Sequence, residues 1–115
     1  MLLKTFFSGT FIEKKKLEEV GINHPIKLEY YKEINEDYIK EKEKAKFGIL
    51  IVKTDYMKDN KIKVEKKEIK YITNDEIEEN RILNIFSKNQ VTPINSEEVI
   101  SDLLIGKWGR PFFPY

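Results

Sequence analysis

The sequence has no cysteine, one histidine and one tryptophan, and only two of its 21 cationic residues are arginine. Without cysteine there is neither a disulfide framework nor a thiolate zinc site, which fits a reducing compartment. With His24 alone, no histidine relay or histidine metal cluster can be assembled. The five glycines, Gly9, Gly21, Gly48, Gly106 and Gly109, are scattered, so there is no glycine-rich phosphate loop. No apolar run approaches the ~18 residues of a membrane helix. The N-terminus, Met1-Leu2-Leu3-Lys4-Thr5-Phe6-Phe7, has no basic leader and is broken by Lys4, which argues against a signal peptide. The expected home is the cytoplasm. An excess of one charge is missing too. Twenty-one bases against 20 acids leave +1, which argues against a cationic nucleic-acid arm and an acidic tail. Nineteen lysines to two arginines is the usage of an AT-rich bacterial genome.

What is present is one domain's worth of alternating and amphipathic segments. At 115 residues the chain can build one modest core without staples. Leu2 to Ile12 reads as a strand, or two bent at Ser8-Gly9, and Glu13 to Val20 as a short helix stopped by Gly21. Pro25 makes Asn23-His24-Pro25 a turn. Ile26 to Ile34 alternates, with Ile26, Leu28, Tyr30 and Ile34 on one face and Lys27, Glu29, Tyr31 and Glu33 on the other. Asn35 to Lys46, rich in charge, reads as a mobile connection. Phe47 to Val52 is apolar on both faces and should be buried on both. One face suits a helical pair; the other calls for the N-terminal segment or a second copy of the chain.

Asp59-Asn60 is a hairpin turn, both residue types tolerating positive φ. In the strand that follows, Lys61 to about Ile72, the apolar residues change phase between Ile62/Val64 and Ile69/Tyr71. A bulge near Lys66-Lys67 would place all four on one face. Two short helices follow. Thr73-Asn74-Asp75-Glu76 and Asn95-Ser96-Glu97-Glu98 both have capping-box spacing. Ile82, Ile85 and Phe86, bordered by Leu83, form the first apolar stripe; Val99, Ile100, Leu103 and Leu104 form the second. Gly106 suits a left-handed stop. Residues 74–104 carry seven acids and two bases, whereas residues 1–73 carry a net +4, so helices and sheet differ in sign. The predicted fold is α+β, a mainly antiparallel sheet of three to five strands with two C-terminal helices on one face. Residues 1–104 form the domain and 105–115 an aromatic tail.

Leu28-Glu29-Tyr30-Tyr31, Phe47-Gly48-Ile49, Asn89-Gln90-Val91-Thr92-Pro93 and the acidic end from Val99 to Leu104 occur in an order that is similar to an uncharacterised family. The chain resembles that family, small proteins of spore-forming, low-GC Gram-positive bacteria known only as a domain of unknown function. The likeness spans about two thirds of the chain. It departs from the pattern in its longer N-terminus, in Asn95 where a histidine is expected, and in the tail. The resemblance implies no activity.

The residues assign no catalytic, cofactor-binding or metal-ligating group. His24, beside a proline, reads as a solvated turn residue. Glu78 and Glu79 lie near the border of a buried face, where a carboxyl can gain a raised pKa and serve as acid or base. They more often pair with lysine. The tail holds Trp108, Arg110, Phe112, Phe113 and Tyr115, residue types enriched at interface hot spots, and is the candidate contact for a protein partner or a second copy. Lys61, Lys63 and Lys67 with Tyr31 are the candidate nucleic-acid surface, a basic row beside a stacking ring. Glu65 and Glu68 interrupt that row. The expected function is therefore a non-catalytic, self-associating interaction or regulatory protein. Nucleic-acid binding is the alternative, and a carboxylate-pair hydrolase or transferase the third reading.

Overall fold

The computed structural model describes residues 2–35 and 46–108, the side chains of 104–108 excepted. The fold is α+β. Four strands, β1 (Leu2–Ile12), β2 (Ile26–Asn35), β3 (Phe47–Tyr56) and β4 (Ile62–Thr73), form one antiparallel sheet in the order β1-β2-β3-β4. Between β1 and β2 runs a short helix, α1 (Lys14–Leu17), continued as one 3-10 turn to Val20. Gly21 ends it at φ 81°, a left-handed position that costs glycine nothing. Two longer helices, α2 (Glu76–Lys88) and α3 (Ser96–Trp108), follow the sheet.

Every strand pairs with its sequence neighbour, so the register follows from the turns. Asp59 (φ 62°) and Asn60 (φ 60°) hold the two-residue turn between β3 and β4, closed by Lys61 N–H donating to Lys58 O at 3.3 Å, with Met57 N–H donating to Lys61 O at 2.8 Å outside it. The ends of the β2–β3 connection meet where Asn35 N–H donates to Lys46 O at 2.9 Å. The connection itself, 36–45, expected to be mobile, lies outside the described residues. β1 is irregular between Phe6 and Ser8, which turns Phe7 toward the core. This is the bend expected near Ser8-Gly9, placed one residue earlier.

The core lies between the sheet and the helices. Leu28, Tyr30, Ile49 and Ile51 of the sheet meet Ile82, Leu83 and Phe86 of α2, Val91 of the interhelical turn and Ile100 of α3. Tyr30 is the anchor. Its ring lies edge-on to Phe86 at 6.4 Å, and its hydroxyl donates to Val91 O at 2.8 Å. Burial pushes its phenol well above the usual range. The charge difference between the layers becomes three ion pairs across them, Lys32 to Glu76 and to Glu79, and Lys67 to Glu97.

Several local expectations are corrected. The phase change in β4 is real. Pairing runs without a shift from Tyr56–Ile62 to Ile49–Ile69, so there is no bulge at Lys66-Lys67. The irregularity lies opposite Phe47–Ile49, where β4 spends Lys70 to Ile72 on an arch with Tyr71 at φ 60°. The N-terminal cap of α2 is Asp75, whose carboxylate accepts from Ile77 N–H at 2.9 Å, while Thr73 Oγ1 accepts from Asp75 N–H. Asn95 turns its side-chain oxygen back to Thr92, accepting from both its N–H and its hydroxyl. Leu83 is fully buried and Ile85 only half-buried, the reverse of the expected stripe. α3 continues past Gly106 to Trp108, since glycine permits a left-handed stop without imposing it. The N-terminal segment does not cover the second face of the sheet: it is β1, an edge strand within it.

Candidate functional site

Residues paired across an antiparallel ladder share a face. Tyr30, Ile51 and Lys67 are on the helix side; Tyr31, Leu50 and Glu68 are on the other. That second face has no layer over it among the described residues. β1 contributes Phe6 and Phe11, 56% and 59% exposed. β3 contributes Leu50, Val52 and Tyr56, and β4 contributes Ile62 and Val64, 60% and 50% exposed. Phe6 stands edge-on to Tyr31 at 5.6 Å, and Phe11 lies 6.1 Å from Tyr56. These are aromatic pairs on an open surface, where water would ordinarily favour polar side chains. The charges beside them are matched within the chain: Lys27 with Glu29 at 3.6 Å, and Lys4 and Lys70 with Glu68 at 3.2 and 3.3 Å. Elsewhere Ile77 and Ile94 are exposed singly.

At one end of this face lies an acid pair, a buried Glu33 beside a partly exposed Glu68. Glu33 is fully buried, and neither carboxyl oxygen meets a protein donor. Gly48 and the β4 arch close over it. A Cβ on Gly48 would overlap the Ile69 carbonyl oxygen and lie 3.3 Å from Glu33 Oε1. Glu68 is its carboxyl neighbour. Two carboxylates have no donor between them, so a hydrogen bond there requires that one carboxyl keep its proton. Burial, then the Glu68 hydrogen bond and charge, push Glu33 well above the usual carboxylate range, against the pull of Lys4 and Lys70. The same hydrogen bond, with help from Lys4 and Lys70, holds Glu68 below it.

Glu79 is a second buried acid, inside the helix–sheet layer. Burial pushes it up to about 7, Lys32 opposing and Glu76 adding. Its neighbour Glu78 is bound to Arg81. Glu79 therefore has the raised pKa considered for this pair of residues, but it is fully enclosed, with the Lys32 ammonium 3.9 Å away.

His24 is not a solvated turn residue. Its Nε2 is 2.8 Å from Oδ1 of the buried Asp55, whose Oδ2 is without a donor. A shallow hollow of about 360 Å³ beside it is lined by Asn23, His24, Met57, Lys58, Asp59 and Lys61. An aspartate that orients an imidazole is half of a catalytic relay. None of the lining side chains is a hydroxyl or thiol, so the nucleophile is missing from this hollow. Among the described residues, no three histidines, aspartates or glutamates are grouped to hold a metal ion.

Of the nucleic-acid candidates, Lys63 and Lys67 share a face and Tyr31 does not lie on it. Lys63 pairs across the sheet with Asp55 and Lys67 with Ile51, on the helix side; Tyr31 is on the open face. Lys63 is bound to Glu65 and Lys67 to Glu97, and Lys61 precedes β4 in the turn. The tail candidates Trp108, Arg110, Phe112, Phe113 and Tyr115 lie outside the described side chains. The apolar open face was half legible: Leu50 and Val52 signalled it, and Ile62 and Val64 join them because their phase is opposite to that of Ile69. Nothing local marks Glu33 as buried, since its cover comes from β3 and β4.

No helix of the described residues is long and apolar enough to cross a membrane. Comparison with curated proteins and with solved structures finds no match. Residues 9–106 do match the family of unknown function DUF6514, and the chain belongs to that family.

Proposed function

We propose that the protein is a non-catalytic cytoplasmic interaction protein that works through the open face of its sheet. One observation carries this reading: Phe6, Phe11, Ile62 and Val64 are half exposed or more on the face they share with Tyr31, Val52, Tyr56 and the buried Leu50, with Lys27, Glu29 and Lys66 among them. Contiguous apolar surface of more than a few hundred Å² is uncommon on monomers and marks docking sites. Aromatic residues are among those enriched at interfaces; here Phe6 and Phe11 stand on the edge strand β1, Tyr31 and Tyr56 on the inner strands, and the Lys27–Glu29 pair lies between them on β2.

The polar features support the non-catalytic part. A catalytic acid must reach its substrate, and Glu33 and Glu79 are both fully buried. Their role in this reading is to fix which strand and helix surfaces meet. Lys4, Lys27 and Lys70 of the open face each stand beside a carboxylate, which interrupts the basic stripe that nucleic-acid binding favours.

Hydroxyl-radical footprinting tests the reading whatever the partner is. Phe6, Phe11, Tyr31 and Tyr56 should oxidise readily in the dilute purified protein and be protected inside cells. Equal oxidation in the two settings would remove the support for a docking face.

A further inference from the structure

We infer that the occupant of the open face is a second copy of this chain, packed sheet against sheet; this inference rests on the interaction reading above. The β2–β3 connection is a poor match for an apolar surface: Asn35 and Lys46, which flank it, are joined, and seven of the ten residues 36–45 are charged.

Size fits a copy. Strands of ten to twelve residues, spaced about 4.8 Å apart and rising about 3.3 Å per residue, give a footprint of roughly 600 Å². Two such faces remove about 1,200 Å² from water before side-chain relief is counted, the lower bound of specific interfaces. Charge does not forbid a copy. Lys27 stands beside Glu29, and Lys4 and Lys70 share Glu68, with Lys66 a further cation opposite Val52, so the lysines are dispersed over the face rather than gathered in one block. Under a two-fold axis Phe11 and Val64, on opposite edge strands of the face, each enter the interface twice. Facing sheets that interdigitate apolar side chains make the core of a β-sandwich.

Sedimentation equilibrium of the full chain across nanomolar to high micromolar concentration tests this. The wild type should pass from monomer to dimer and stop there. Val64→Lys and Phe11→Lys each place a charge in the interface twice and should weaken the dimer about a hundredfold or more. Both positions are half exposed in the monomer, so the far-ultraviolet spectrum and thermal midpoint of the dilute variants should match those of dilute wild type. Ile94→Lys, a control on the turn before α3, should dimerise as wild type. A chain that stays monomeric throughout overturns the inference, whatever footprinting shows for another partner. A dimer insensitive to Val64→Lys and Phe11→Lys overturns it equally.

Discussion

Gly48 has no space for a methyl group. A Cβ there would run into the Ile69 carbonyl and approach Lys70 Cα at 3.0 Å, both backbone atoms of the arch. Gly48→Ala should therefore cost about 1–3 kcal/mol in urea unfolding, as overpacking does. A neutral result would mean that the arch yields freely. The buried carboxyls make a pH prediction. Glu79 is held up at about 7 against an ordinary value of 4.5, so the folded chain keeps a proton that the unfolded chain has lost. Unfolding releases that proton between these values, and stability must fall as pH rises from about 4.5 through about 7. Glu33 is shifted in the same direction and extends the fall. Glu68 is shifted the other way and contributes stability that is lost as pH drops below 4.5. The thermal midpoint should thus peak near pH 5. Glu79→Gln, which needs no proton, should flatten the decline toward pH 8 by about 2–3 kcal/mol. A slope that the substitution leaves unchanged would place the responsible proton elsewhere.

At the scale of elements, capping and core contacts give separate predictions. Asp75→Ala removes the oxygen that accepts from Ile77 N–H and should cost about 1 kcal/mol, as N-cap truncations do. No loss would return the cap to Thr73. Phe86 is fully buried against Tyr30, and Phe86→Ala should cost about 3–5 kcal/mol in the same titration. The strands and helices were legible because their apolar residues repeat at period 2 or 3.6 and their boundaries carry turn chemistry, as at Asp59-Asn60. The arch at Lys70 to Ile72 was not. Every residue from Glu65 to Glu68 is Lys or Glu, so both faces of β4 look alike there and local sequence cannot position an irregularity. His24 and Asp55 are 31 residues apart and meet only through the β2–β3 register. Glu33 sits in an alternating pattern that assigns it to solvent. Burial of the kind Gly48 and the arch impose arises between strands and leaves no mark on β2 itself.

At the scale of the molecule, the protein is a sheet with helices on one side. The helix side closes as a conventional two-layer core, with Tyr30, Phe86 and Ile82 excluding water. Its shortest dimension is 17 Å, about one sheet and one helix layer. The other side carries exposed apolar residues with no layer over them among the described residues. A third layer supplied by a copy of the chain completes the architecture that Phe47 to Val52, apolar in both directions, already implies. The most direct measurement is an isotope-filtered nuclear Overhauser experiment on an equal mixture of labelled and unlabelled full-length chains. Intermolecular cross-peaks should be confined to the rings and methyl groups of the open face, among them Phe11, Tyr56, Val52 and Val64. Cross-peaks centred instead on Ile77 or Ile94, or none from the open face in a sample that sediments as a dimer, would contradict the account.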